Sequence, residues 1–413
     1  MAARPGRGVV RHEPADRPRP RRQAGLLPGQ GRGDGDGRAG DRGRPMRAGR
    51  SGDGIRLLTP EGERVPHPEY GIDPDPGQLR SLYRDMALAR RLDAEGVTLQ
   101  RQGELGLWPS LLGQEAAQVG SVRALADGDR VFPSYREHAV ALGRGVDPLA
   151  LLRLFRGVDH GAWDPDAHGF HLYTLVIGAQ TLHATGYAWG MAKDGTDHAV
   201  VAYFGDGATS QGDVSEAFNF AAVYDAPVVF FCQNNQWAIS EPNERQTRVP
   251  LYQRAQGFGF PGVRVDGNDV LAVLAVTRAA LEHVRSGRGP FLVEAFTYRM
   301  GAHTTSDDPA RYRDAAEVES WRAKDPLLRL ERLLRREGLA GDAFFAETAA
   351  AGEALAARVR EGVRTMPSPA PEALFDHVYA GAHAVVDRER AEFAAYQAAF
   401  EAPSGASSFD GEV

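Results

Sequence analysis

Apolar residues along this chain recur at two different periods, and the changes of period mark its elements. From Gln78 the stretch LRSLYRDMALARRLDAEGVTLQRQG lines up Leu79, Leu82, Tyr83, Met86, Leu88 and Leu92 on its apolar side, which predicts a strong amphipathic helix. Short runs of strand length follow at Val131-Phe132, at Ala199–Phe204 (AVVAYF), at Val228–Cys232 (VVFFC) and at Pro290–Phe296. Between the second and third runs, Val214, Ala217, Phe218, Ala221 and Ala222 recur at spacings of three and four, on one face of a helix. A small-residue helix is expected from Ala179, and another from Asp269, a side chain suited to an N-cap, to about Arg285. Strands alternating with helices read as α/β, a mostly parallel sheet with helices on both faces. From Trp321 the remainder reads as helical, with Asp325-Pro326 at a first helical turn and 372–400 as its last helical stretch.

The unit from Ala199 to Ser240 organises the rest. A helix of about 14 residues rises roughly 21 Å, and a strand of about 6 residues covers roughly 20 Å on the return. Asp206, in the turn Gly205-Asp206-Gly207, and Asn235, in the pair Asn234-Asn235, therefore emerge at the carboxyl edge of two parallel strands. That edge is where open α/β sheets bind ligands. A carboxylate and a carboxamide oxygen meeting there suit a hard cation such as magnesium, which completes its shell with phosphate and water oxygens.

Composition narrows the setting. With 413 residues and 42% apolar content the chain is sized for one large domain or two. No apolar run approaches the length of a membrane span. The single cysteine, Cys232, excludes a disulfide framework and fits the cytoplasm; in a strand it reads as a core residue. A net charge of −7 argues against nucleic-acid binding by the folded part. Residues 1–54 carry thirteen arginines and six acids among many Gly and Pro, so disorder is expected there. Lys193 and Lys324 are the two lysines among 48 basic residues, which points to GC-rich coding and to Met46 as the true start; a basic nucleic-acid arm is the alternative. Residues 55–77 read as an extended polar arm, with ordered structure starting near Gln78. A cofactor domain spans 78–335, a helical extension 336–400, and a frayed tail 401–413.

GDG, then 26 residues, then NN resembles the thiamine-diphosphate signature. Together with LWPSLLGQEAAQVGSVRAL, SYREH, GVRVDGNDV and YRMGAHTTSDDPARYRD, it is similar to the alpha subunits of the thiamine-diphosphate-dependent decarboxylating component of 2-oxo acid dehydrogenase complexes. The resemblance covers roughly residues 78–335 and implies the thiamine-diphosphate-binding fold, with Gly262–Asp269 as its third strand. It implies magnesium on Asp206, Asn235 and the Trp237 carbonyl. It also implies cofactor contacts from Tyr135, Arg136, Ile177, Gly205, Gly207, Ala208, Asn235, Ile239, Arg299 and His303. Arg136 is placed on the diphosphate, for which a guanidinium is suited, and Arg299 offers a second cation there. His303 is the catalytic residue, expected to titrate near neutrality and handle protons.

The residues have bland readings too. GDG alone is a turn, Arg136 a surface charge, and His138 or His303 a structural histidine. The GQEA helix reads as packing. Leu175-Val176-Ile177 stands where mammalian relatives have Ser-Pro-Leu, so the ring contacts there depart from the pattern. Thr304 falls where mammalian relatives carry a phosphorylated serine, and no regulation is inferred from it.

The chain shows the diphosphate–magnesium half of a site and lacks the glutamate that would hold the cofactor ring. The resemblance therefore implies a beta subunit supplying it, in an α2β2 assembly, and a lipoyl-bearing acyltransferase that takes the acyl group. NNQWAIS and YRMGAHTTSDDPARYR are closer to the branched-chain members, acting on 3-methyl-2-oxobutanoate, than to pyruvate enzymes, whose loop reads HGHSMSDP. Pyruvate and acetoin dehydrogenase subunits, and a non-catalytic cofactor binder, remain alternatives.

Overall fold

The computed structural model describes residues 54–401. The expectations for the amino-terminal arm, its start at Met46 and the tail fall on residues 1–53 and 402–413, outside the described residues. Five parallel strands form the main sheet: β1 Arg130–Phe132, β2 Val200–Gly205, β3 Val228–Asn234, β4 Gly262–Asp266 and β5 Phe291–Phe296. Their order is β1-β2-β3-β5-β4, with helices packed against the sheet. This is the α/β architecture expected of the thiamine-diphosphate-binding fold. All seven residues of β3 are buried, as a continuous apolar run in a central parallel strand requires.

The connections follow the chain's patterning. The helix Gly212–Val223 buries Val214, Ala217, Phe218 and Ala221 against β2 and β3, and a short 3-10 turn, Asp206–Ser210, separates it from β2. The small-residue helix runs Ala179–Lys193. Asp269 caps the helix Val270–Arg285, its Oδ1 accepting from the N–H groups of Leu271 and Ala272. Its Oδ2 accepts from the N–H groups of Leu57 and Leu58, both at 2.6 Å.

That second contact corrects the amino-terminal boundary. Residues 55–75 precede the first helix without forming a helix or named strand, turning at 60–62 with a Leu58–Arg64 bridge, and they are docked; Pro76 and Gly77 already belong to the first helix. Ile55 pairs with Val265 at the sheet edge, and Ile55, Leu57 and Leu58 are buried. The exposed edge of β4 is thereby covered. The first helix starts at Pro76, capped by Asp75, whose side chain accepts from Gln78 N–H.

The carboxyl-terminal helices differ in their anchoring. Asp342–Arg364 lies on the first helix Pro76–Arg101, burying Ala356, Val359 and Val363 and pairing Arg360 with the buried Glu95. The stretch 371–400 is not one helix. It is a 3-10 turn, Pro371–Phe375, then irregular chain through Gly381, then a helix Ala384–Glu401. None of residues 371–400 is buried, so no packed face offsets the cost of nucleating a continuous helix.

Candidate active site

Gly205 at the end of β2 is in register with Gln233 in β3, so Asp206 and Asn235 leave adjacent strands side by side. Asp206 is 1% exposed, and its Oδ2 accepts from Gln246 Nε2 at 3.0 Å. Burial pushes its carboxyl up to about 6, against the pull of the Gln246 hydrogen bond. Gly207 permits a close approach: a Cβ there would lie 2.7 Å from the Ala238 Cβ. A Cβ on Gly205 would meet no protein atom within 4 Å.

The segment after β3 is held in an uncommon backbone. Gln236 and Ile239 have φ of 71° and 55°, in the left-handed region that non-glycine residues rarely enter. Two anchors stabilise it. Asn234 Oδ1 accepts from Gln236 N–H while Asn234 Nδ2 donates to the buried Glu294. Arg299 donates to the carbonyls of Trp237 (2.8 Å) and Ile239 (2.7 Å). Asn235 Oδ1 accepts from Trp237 N–H at 3.3 Å, and its Nδ2 donates to Gln114 Oε1 at 3.2 Å.

Arg299 is therefore not placed as a side chain reaching freely for a diphosphate. It is fully buried behind this loop, and its terminal nitrogens already donate to Trp237, Ile239 and the Tyr312 hydroxyl. Burial, and then the neighbouring Arg136 charge, lower its guanidinium to about 10.

Arg136 and His303 converge from 167 residues apart. Arg136 is 6% exposed; it donates to the Ser110 carbonyl at 2.6 Å and to the His303 carbonyl at 2.9 Å. Its guanidinium lies 5.5 Å from the Tyr135 ring centre, and that ring sits edge-on to His303 at 6.2 Å. Asp307 fixes the loop by accepting from His303 N–H and from Tyr312. Burial and the charges of Arg136 and Arg299 push the His303 imidazole down to about 3. Burial first, and then the two facing cations, therefore disfavour a ring that titrates near neutrality.

These groups share one cavity of about 450 Å³. Asp206, Asn235, Trp237, Tyr135, Arg136 and His303 all line it, as do Gly205, Gly207, Ala208, Ile177 and Ile239; Arg299 does not. Ile177 is 37% exposed and Ile239 56%, which puts them at its mouth. His138 is structural instead, bonded to the Tyr173 hydroxyl and the Pro109 carbonyl away from the cavity.

Sequence reasoning missed the glutamines. Gln114 and Gln180 line the cavity, are each 1% exposed, and keep one amide atom unpartnered: Nε2 of Gln114 and Oε1 of Gln180. Gln180 is pinned by its Nε2, which donates to the Tyr203 carbonyl at 2.9 Å. Gln114 belongs to the GQEA segment, and that was its only signal.

The donor set fits a hard cation and a phosphate group. Asp206 is a buried carboxylate with no cationic partner among the described ion pairs, and Asn235 and Trp237, which carry further oxygens, line the same cavity. Arg136 and the unpartnered Gln114 Nε2 are N–H donors suited to phosphate oxygens.

A parallel sheet that brings a carboxylate, a guanidinium and a shielded imidazole to one cavity at its carboxyl edge defines an α/β cofactor enzyme. The chain belongs to the dehydrogenase E1 component family, whose profile matches residues 83–371. The family consists of thiamine-diphosphate-dependent 2-oxo acid dehydrogenases, and the motif resemblance read from the sequence agrees with it. Over 345 residues, 82% of this chain and 94% of the relative, it is 44% identical to a 3-methyl-2-oxobutanoate dehydrogenase subunit alpha of Mycobacterium tuberculosis. Over 265 residues, 63% of this chain and 71% of the relative, it is 42% identical to a pyruvate dehydrogenase E1 component subunit alpha of Staphylococcus aureus.

Proposed function

We propose that this chain is the alpha subunit of a branched-chain 2-oxo acid dehydrogenase. It acts on 3-methyl-2-oxobutanoate and related 2-oxo acids, with reductive acylation of a lipoyl group. The observation that carries the reading is the meeting of Asp206 and Asn235 with Arg136 and His303 around one cavity. The substrate class is supported by the relative that is 44% identical over most of both chains.

Asp206, Asn235 Oδ1 and the Trp237 carbonyl would hold magnesium, and Arg136, Tyr135 and Gln114 Nε2 the diphosphate. Bound thiamine diphosphate supplies the electron sink that lets a 2-oxo acid lose carbon dioxide. The chain's own contribution is to orient and shield. Gly205, Gly207 and Ala208 would let a cofactor approach the backbone at this turn, and Ile177 and Ile239, exposed at the mouth, would give it apolar contact. His303 lines the same cavity and would face a 2-oxo acid bound there.

The cavity's second carboxyl, Glu137, is not free to hold a cofactor ring. One oxygen accepts from Gln233 Nε2 at 2.7 Å and the other from Arg136 N–H. This supports a beta subunit that contributes a carboxylate across the mouth, in an α2β2 assembly, and a lipoyl-bearing acyltransferase as acceptor. Residues 78–335 are the cofactor domain in this reading. No helix among the described residues is long and apolar enough to cross a membrane, and a cytoplasmic setting is proposed.

The test is decarboxylation by this chain co-expressed with its beta-type partner, with thiamine diphosphate and magnesium. Faster turnover of 3-methyl-2-oxobutanoate than of pyruvate is expected. Preference for pyruvate would move the chain to the second reading, which the Staphylococcus relative favours. In the same assembly Asp206→Ala should abolish magnesium-dependent cofactor binding, and retained affinity would count against the metal site.

A further inference from the structure

The ring of His303 is held between two guanidinium groups. Arg136 and Arg299 each place a terminal nitrogen 3.3 Å from Nδ1. A guanidinium has donors only and stays charged. An N–H on Nδ1 would therefore face two N–H donors and find no acceptor, whereas a bare Nδ1 accepts from both. The proton of the neutral ring must then sit on Nε2. No protein group among the described residues accepts from that nitrogen, and the side chain lines the cavity.

We propose that His303 works as a fixed, neutral hydrogen-bond donor through Nε2–H, not as a group that takes up and releases a proton. The proposal rests on the 2-oxo acid reading above and names the task of this residue within it. Its ligand is an oxygen of the bound 2-oxo acid that gains negative charge during the reaction. A preorganised donor of this kind stabilises developing charge without reorganising.

Arg299 is then a positioning residue. It acts through the imidazole and through the Trp237–Ile239 loop, and it touches neither substrate nor cavity. The groups facing the ring support the assignment. Arg136 and Arg299 are the cations, and the edge of the Tyr135 ring is apolar contact. Asp307, the facing carboxylate, accepts from the backbone N–H of His303 and from the Tyr312 hydroxyl, so it is not bonded to the ring.

The test reads the ring directly and needs no turnover. Diethyl pyrocarbonate modifies neutral imidazole, and peptide mass mapping of the full chain without added cofactor gives the rate at His303. Free N-acetylhistidine in the same tube is the reference. A ring with the ordinary value near 6.5 gains about tenfold in rate from pH 5.5 to 8. The rate at His303, corrected for reagent hydrolysis, should stay flat over that range. A tenfold rise that follows the reference would overturn the proposal.

A second arm uses the assembled enzyme. His303→Gln carries an amide N–H near the place of Nε2–H and cannot shuttle protons. It should retain at least tenfold more kcat than His303→Ala, and equal loss in both would mean that proton transfer is the role. Failure of the substrate reading leaves the modification profile flat, so the two failures are distinguishable.

Discussion

The two glycines that flank Asp206 separate the fold from the cofactor cradle. A methyl group at 207 would stand 2.7 Å from the Ala238 Cβ, against about 3.5 Å or more for two carbons in good contact. Neither side can give cheaply, because both Cβ atoms are fixed to backbone and Arg299 ties down the carbonyls on either side of Ala238. Overpacking of this kind costs about 1–3 kcal/mol. Gly207→Ala should lower stability by that amount or displace the loop that carries the Trp237 carbonyl. A methyl at 205 meets no protein atom, and the backbone there is extended, so Gly205→Ala should leave unfolding unchanged or slightly raised. That methyl would nevertheless enter the cavity beside Asp206. If cofactor lies there, the loss should reach about 1–3 kcal/mol of binding, roughly five- to 150-fold in Kd. The measurements are thermal unfolding and titration of thiamine diphosphate with magnesium into the co-expressed assembly. Unaltered cofactor affinity in Gly205→Ala, with normal stability, would refute the placement of the cradle at this turn.

Two more expectations concern buried carboxyls under the site. Asp93 is 3% exposed and accepts from Trp108 Nε1, Ser110 Oγ and Leu111 N–H, the loop whose Ser110 carbonyl holds Arg136. Asp93→Ala strands at least two buried N–H donors at about 1–3 kcal/mol each, and urea unfolding should register a loss of that order along with weaker cofactor binding. Asp93→Asn should be milder, because the Ser110 hydroxyl can turn to accept. Burial pushes Glu137 up to about 7 from its ordinary 4.5. An acid raised in the folded state binds more protons there than in the unfolded chain, so its contribution to stability is complete below about 4.5 and is lost as pH rises through 7. The loss is on the order of 3 kcal/mol. Glu137→Gln should flatten that part of the difference between urea midpoints at pH 4.5 and pH 8, and an identical pH dependence in both proteins would show that Glu137 does not titrate in this window.

What could be read from the chain follows the range of the interactions involved. Asp206 and Asn235 were legible because strand rise, helix rise and a 26-residue gap fix where both must emerge, with no knowledge of distant contacts. The contact between Arg136 and His303 spans 167 residues, so only the family resemblance pointed to it. Arg299 shows why residue type alone misleads. In a motif beside a diphosphate site an arginine reads as a phosphate ligand, yet Arg299 lies behind the Trp237–Ile239 loop and does not line the cavity, whereas Arg136, whose terminal nitrogens also meet two carbonyls, does. The ordinary titration of a histidine is likewise no guide at His303, because burial and the two cations that the fold brings to Nδ1 lower it. The docking of the arm at 55–75 is hidden by its polar, proline-rich composition, in which the apolar residues Ile55, Leu57, Leu58 and Tyr70 are buried.

The glutamines carry the argument one step further. A neutral amide has no charge pattern or spacing rule, so beyond the GQEA segment that holds Gln114 nothing in the sequence separates Gln114 and Gln180 from ordinary core residues. In the fold each is almost fully buried with one half of its amide bonded and the other unpartnered, one offering a donor and one an acceptor to the same cavity. A buried polar atom without a partner costs about 1–3 kcal/mol. Two such costs on one wall, beside a carboxylate with no cation, are hard to account for in a site that serves packing alone. They are accounted for by a ligand that presents an acceptor near Gln114 and a donor near Gln180. A thiamine-type cofactor does both, with phosphate oxygens at one end and an amino group at the other.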